Sequence, residues 1–267
     1  MTNRIQLERS GPAASVANVW LDRADKRNAL DGAMMKELAA ALDEIGADRS
    51  VRVVVLRGKG PAFSSGIDHT LLAEVFGATT QSPFLHLHHQ LQDVFHRMAR
   101  LHQPVIAALH GACVGMALEL ALAADLRFAT EDCVTGLPEI AFGIVPDVGG
   151  TTRLVQAVGE PRARDLILTG RLVRARTAER YGLFHEVVAD AAALDALVAR
   201  RVEQLASHSQ AALGLGKALS QASGESNAAT SFRFEGIVQQ ALLGQPDLMS
   251  RFPAAIAFIK QQLANPE

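Results

Sequence analysis

Between Pro104 and Asp125 the chain reads VIAALHGACVGMALELALAA, a run long and apolar enough to cross a bilayer, yet it carries Gly111, Gly115 and Glu119. An acidic side chain at mid-bilayer costs about 3 kcal/mol or more, and no positive residues flank the run, so a membrane span is rejected. The alternative is a buried strand over Val105 to Leu109, a glycine turn, and a buried helix over Gly115 to Ala124. A strand apolar on both faces belongs in a parallel sheet covered by helices, so this segment selects an α/β architecture.

The neighbouring segments agree. Ser15 to Leu21 reads as a strand and Asp22 to Asn28 as a charged loop. Met35, Leu38, Leu42 and Ile45 recur on one helical face, with Asp31 as the N-cap, and Val51 to Leu56 is a second buried strand ended by Arg57-Gly58. Leu71 to Leu101 is helical apart from a loop near Gly77 to Pro83; Leu126 to Ala129 is a short strand, and Gly149-Gly150 opens a helix through Val158. After about Asp190 only helices are expected: Leu194 to Ala206, Gln210 to Gln221, Phe232 to Leu243 and Ala254 to Leu263, with Ser223 to Ser226 as the one polar break. The expected organisation is a core over 1–195 and a C-terminal helical region over 196–267 used for assembly.

With a net charge of -2 and Lys and Arg scattered, the chain has no field for gathering nucleic acid or anionic lipid. Met1 to Arg9 lacks the apolar core of a secretory signal. Cys113 and Cys133 lie in apolar stretches without metal or redox spacing, so two reduced, packed thiols in a cytoplasmic protein are expected. His86, His88, His89, Asp93 and His96 share a helical segment, but no second ligand pair converges on them, and no metal is assigned. Gly111 to Gly115 has neither phosphate-loop nor dinucleotide spacing, and no serine occupies a nucleophile elbow.

What remains is a pair of glycine turns and a set of carboxylates. Phe63-Ser-Ser-Gly-Ile-Asp68 and His110-Gly-Ala-Cys-Val-Gly115 each follow a buried strand, so both face the crevice at the strands' carboxyl ends, where ligands of α/β sheets bind. The second turn runs into a helix N-terminus, whose free N–H groups favour a negative oxygen; two converging donors of this kind form an oxyanion hole. Glu119, flanked by Leu118 and Leu120, and Glu139, in Leu137-Pro-Glu-Ile-Ala-Phe-Gly143, are carboxylates in apolar company, which must be paired or functional. Asp147, in Val145-Pro-Asp-Val-Gly-Gly150, either joins them or caps the helix that follows.

In order and spacing these pieces resemble the crotonase superfamily, the enoyl-CoA hydratase/isomerase family. The resemblance rests on Leu21-Asp-Arg-Ala-Asp-Lys-Arg-Asn-Ala-Leu30, Ala62 to Asp68, Pro104 to Gly111, Glu119 to Asp125, Pro138-Glu-Ile and Pro146-Asp-Val-Gly-Gly-Thr-Thr-Arg-Leu154. It implies a spiral of ββα units with parallel sheets covered by helices, a C-terminal helical region, and assembly as a homotrimer or dimer of trimers. It also implies an acyl-CoA substrate whose thioester oxygen meets the backbone N–H groups of Ile67 and Met116. Members often carry small residues at both positions, but only the N–H is needed. Ser65, Gly66, Asp68, His69 and Gly115 would border the substrate, and Arg23, Lys26 and Arg27 would meet the CoA phosphates. Coenzyme A is then part of the substrate, and no separate cofactor is implied.

Glu119 and Glu139 match the two glutamates with which hydratases of the family add water across the 2,3 double bond of a 2-enoyl-CoA, Glu119 chiefly on the water and Glu139 on the α-carbon proton. Asp147 matches the aspartate of dienoyl-CoA isomerases, so a double-bond isomerase using Glu139 and Asp147 is the alternative. A non-catalytic acyl-CoA binding protein is the reading from another class.

Overall fold

The computed structural model describes residues 3–77, 83–246 and 248–264; most of the loop expected near Gly77 to Pro83 lies outside them. The chain forms two compact units, Met1–Gln210 and Ala211–Glu267. The expected division at 195 instead falls inside a helix, Ala191–Ser207, whose Leu194, Leu197 and Val198 are buried against sheet residues and tie it to the first unit.

In the first unit, β1 (Ile5–Ser10) pairs antiparallel with β2 (Val16–Leu21); β3 (Val53–Gly58), β4 (Val105–Leu109), β6 (Leu126–Thr130) and β9 (Glu186–Val188) then add in parallel, in the order β1-β2-β3-β4-β6-β9. A second sheet has the order β5 (Ala112–Val114), β7 (Val134–Gly136), β8 (Val173–Arg174). The helices of this unit are α1 (Gly32–Ala47), α2 (His69–Gly77), α3 (Pro83–Arg100), α4 (Met116–Leu122), α5 (Gly150–Val158), α6 (Glu160–Thr169), α7 (Ala175–Tyr181) and α8 (Ala191–Ser207). Strand β1 and the whole second sheet were not expected: β1 alternates polar and apolar residues, and β5, β7 and β8 are too short to carry a periodic signal.

Strand alternation sorts the apolar side chains into two cores. Val54 and Leu56 of β3, with Val105, Ala107 and Leu109 of β4, face Met34, Met35, Leu38 and Leu42 of α1 and Phe95 and Met98 of α3 in the main core. Val53, Val55, Ile106, Ala108 and Phe128 point the other way and are covered by α8. Both faces of the central strands are therefore dry, which is why they read as continuous apolar runs. Asp31 caps α1, its Oδ1 accepting from Met34 N at 2.9 Å.

The chain leaves β4, turns at Gly111 into β5, and only then enters α4, so the expected turn of residues 110–115 contains a strand of the second sheet. Likewise β6 is followed by β7 and then by a 3-10 turn over Glu139–Phe142. This strand, strand, helix repeat delivers the loops before α4 and α5 to one side of the molecule. No described helix is long and apolar enough to cross a membrane.

In the second unit the chain forms α9 (Gln210–Glu225), α10 (Ala228–Leu243) and α11 (Phe252–Ala264). Asn227 caps α10 through Thr230 N at 3.0 Å. Phe232, Ile237, Phe252, Ile256, Ile259 and Leu263 are exposed, more apolar surface than isolated residues would present.

Candidate active site

Two glycines bring the two turns together. Gly66 and Gly115 have φ of 93° and 60°, values a side chain opposes, and a Cβ on Gly66 would lie 2.5 Å from the carbonyl oxygen of Val114 and 3.6 Å from Met116 N. Backbone therefore packs on backbone, and the Ile67 turn lies against the start of α4. Leu30 N donates to Gly66 O and Asp68 N donates to Leu30 O, each at 2.8 Å, a parallel bridge that leaves the Ile67 N–H on the opposite edge. Met116 opens α4, so no earlier carbonyl of that helix accepts from its N–H.

Both residues line a cavity of about 740 Å3 whose wall also includes Glu119, Glu139, Asp147 and His88. Ser65, Gly66, His69 and Gly115 line it as well, with Leu72, Leu91, Phe142, Ile144 and Val145 supplying apolar surface.

Glu119, one turn into α4, is 2% exposed. Its Oε1 accepts from Gly150 N at 2.8 Å and Val148 N at 3.1 Å. Burial, then the neighbouring Glu139 charge, push its carboxyl up to about 8 against the pull of the Gly150 N–H. Burial likewise lifts Glu139 to about 7. The Glu139 carboxyl sits over the second turn, its Oε1 3.1 Å from where a Gly115 Cβ would be, while its buried Oε2 has no hydrogen-bond partner among the described residues. Between those values the two glutamates hold one proton between them, the state a paired acid and base require.

Asp147 is not the cap of α5; Gly149 occupies that position with no side-chain hydrogen bond. The carboxyl of Asp147 lines the cavity instead, raised by burial and opposed by His88, whose Nε2 lies 3.6 Å from Asp147 Oδ2.

The basic loop divides. Arg23 is committed to carboxylates: its Nη1 donates to Asp68 Oδ2 at 2.6 Å and lies 3.3 Å from Asp31 Oδ2. Asp68, only 2% exposed, also accepts from Thr70 N and Oγ1, which together with Arg23 hold its carboxyl well below the usual range despite burial. Neither Arg23 nor Asp68 is among the residues that line the cavity, and each satisfies the other's charge. Lys26 and Arg27 are exposed and pair with no carboxylate among the described residues, and Arg27 O accepts from Ser65 N at 2.9 Å, so this loop adjoins the first turn. No group of His, Cys, Asp or Glu suited to a metal ion occurs among the described residues.

Several supporting residues were missed in the sequence. Asn28, buried with φ 53°, donates to the carbonyls of Lys59, Ala62 and Phe63 at 2.8, 2.9 and 3.1 Å and accepts from Arg23 N at 2.8 Å, fixing the approach to the first turn. Its only signal was that Asn tolerates a left-handed backbone better than most residues. Gly150 leaves no room for a side chain, since a Cβ would fall 2.5 Å from Glu119 Cγ. His88 and Gln92 approach the Asp147 loop from α3, a long-range contact no local pattern announces.

A family model described as enoyl-CoA hydratase/isomerase matches residues 11–252. Among curated proteins, a probable enoyl-CoA hydratase of Rhizobium meliloti (strain 1021) is 36% identical over 250 residues, spanning 94% of this chain and 95% of that protein. Among solved structures, an enoyl-CoA hydratase from Bacillus anthracis superposes with a TM-score of 0.86 at 30% identity, covering 97% of this chain and 96% of that one. A putative enoyl-CoA hydratase from Thermobifida fusca YX, solved in complex with acetoacetyl-CoA, is 36% identical with a TM-score of 0.78, covering 90% and 95%.

Proposed function

The chain belongs to the enoyl-CoA hydratase/isomerase family, and from that premise we propose that it is an enoyl-CoA hydratase, adding water across the 2,3 double bond of a 2-enoyl-CoA. The observation that carries this reading is the cavity wall itself, on which two glycine-turn residues sit beside two glutamates whose carboxyls burial raises to about 8 and about 7. The thioester oxygen accepts from the N–H groups of Ile67 and Met116, so the negative charge that develops as water attacks C3 meets fixed donors. In the reacting form the shared proton stands on Glu139, the less populated of the two arrangements because burial raises Glu119 further, to about 8 against about 7. Glu119, oriented by Val148 and Gly150, then takes the proton from water, and Glu139 delivers a proton to C2. One proton enters the pair and one leaves, so the pair ends with the charge it began with.

Lys26 and Arg27 meet the CoA phosphates at the mouth, and CoA belongs to the substrate, with no separate cofactor used. The reading places the enzyme in cytoplasmic acyl-CoA catabolism such as fatty-acid β-oxidation. The buried thiols of Cys113 and Cys133, both pushed up by burial, suit a reducing compartment. Assembly as a homotrimer or dimer of trimers draws support from the exposed apolar side chains of α10 and α11.

The test is a turnover panel of saturated, 2-enoyl, 3-enoyl and dienoyl thioesters on the purified protein. Hydration, followed as loss of enoyl-thioester absorbance, disappears in Glu119→Gln and Glu139→Gln; full activity in both variants overturns the assignment. Asp147 favours a second reading, since its carboxyl lines the cavity and does not cap α5. If Asp147→Asn abolishes dienoyl or 3-enoyl isomerisation and leaves hydration intact, the isomerase reading stands. Tight acyl-CoA binding without any turnover would mark a binding protein.

A further inference from the structure

His88 and Gln92 stand four positions apart on α3, about one helical turn, and both side chains reach the same atom. His88 Nε2 and Gln92 Nε2 each lie 2.9 Å from the main-chain carbonyl oxygen of Asp147. A carbonyl only accepts, so both nitrogens donate, which places a proton on His88 Nε2. That carbonyl belongs to the peptide unit whose N–H is Val148 N, and Val148 N donates to Glu119 Oε1 at 3.1 Å. The chain of contacts therefore runs from α3, through one peptide, to a buried carboxylate on α4.

We propose that His88 and Gln92 are positioning residues for Glu119, holding and polarising the Asp147–Val148 peptide so that it donates to the Glu119 carboxylate. Two donors on the carbonyl draw electron density from the peptide nitrogen and strengthen its N–H as a donor. They also fix the loop 147–150, which brings the second donor, Gly150 N, to the same oxygen at 2.8 Å. Arg153 of α5 grips this loop from the other side, its Nη1 donating to Val148 O at 3.4 Å. The charged and titratable groups facing Glu119 are Glu139 from the 3-10 turn, Asp147 and His88 beside the loop, and Arg153 from α5. Of the two clamp residues Gln92 has no titratable group, so its removal changes the clamp without changing the set of titrating groups around Glu119.

The inference rests on the hydratase reading only for its kinetic readout. The experiment is 13C NMR titration of the Glu119 carboxyl, with kinetics on 2-enoyl-CoA, in wild type, Gln92→Leu, His88→Phe, His88→Gln and the double variant Gln92→Leu/His88→Phe. Loss of one donor raises the Glu119 midpoint in Gln92→Leu, moves the upper limb of kcat/KM against pH the same way, and lowers kcat about 5-fold with KM within about two-fold. His88→Gln, which keeps a donor, restores most of the kcat lost in His88→Phe, and the double variant loses more than the product of the single losses because the carbonyl is then left without either donor. An unchanged Glu119 midpoint in Gln92→Leu and in the double variant overturns the inference, whatever the turnover. If wild type hydrates no thioester while the midpoint still rises, the hydratase reading fails and the clamp stands.

Discussion

Replacing Glu119 by glutamine should destroy catalysis and yet make the protein more stable, and the two effects have the same origin. The carboxyl is 2% exposed and holds its proton up to about 8, whereas in the unfolded chain it ionises at its ordinary 4.5. Below pH 4.5 both states carry the proton and the group contributes nothing. Above it the unfolded chain releases the proton first, so stability falls as pH rises until the folded state ionises too, near 8. At about 1.4 kcal/mol per pH unit, the loss is under 1 kcal/mol at pH 5, roughly 3 kcal/mol at pH 7 and roughly 5 kcal/mol above pH 8. Glutamine is nearly isosteric and its Oε1 keeps the Val148 and Gly150 N–H bonds, but it has no proton to lose. Urea unfolding of both proteins at pH 5, 7 and 8 should show the variant's advantage growing with pH, as a rise in midpoint at constant slope. Hydration should meanwhile drop by about 10^2 to 10^4-fold. A variant that is less stable than the parent at pH 8, or whose advantage is the same at pH 5 and pH 8, would refute the placement of a strained buried carboxyl at this position.

Since one proton is shared between groups near 7 and near 8, kcat/KM plotted against pH should be a narrow bell with its maximum between those values, falling about tenfold per unit on either side; a plateau from pH 5 to 9 contradicts it. Gly150→Ala should lower the urea midpoint and cut kcat by roughly 10-fold or more, because the new methyl overlaps Glu119 Cγ and displaces a carboxyl that is buried and held by two N–H groups; a variant with unchanged kcat contradicts this. Asn28→Ala leaves three carbonyls and the Arg23 N–H without their partner and puts alanine at φ 53°, so a loss of about 3 kcal/mol is expected in urea unfolding; a loss under about 1 kcal/mol would show that the Asn28 contacts are dispensable.

The long strands and helices were legible because their signals are local. Val53 to Leu56 and Val105 to Leu109 are dry on both faces, and Met35, Leu38, Leu42 and Ile45 fall on one face of a helix capped by Asp31, so composition and period suffice to identify them. The short strands β5, β7 and β8 exist only because each has a partner in the second sheet, which no window of their own sequence records. Glu119 and Glu139 stood out as carboxylates among leucines, an anomaly visible in one dimension. The pairing of Arg23 with Asp68 was hidden for the opposite reason, since a charged loop residue and a turn aspartate carry no local sign of each other until folding places them 2.6 Å apart.

By itself the amino-acid order determined that a buried sheet is covered by helices, that glycines interrupt it at two strand ends, and that acidic side chains are carried into the apolar interior. Only the tertiary structure decided which groups are free. It spent Arg23 on Asp68, turned Asp147 towards the cavity, and joined His88, Gln92 and the Val148 peptide to Glu119. The physical reason is range: periodicity and backbone preference act over a few residues, whereas desolvation, ion pairing and hydrogen-bond satisfaction depend on whatever distant segment arrives at contact distance.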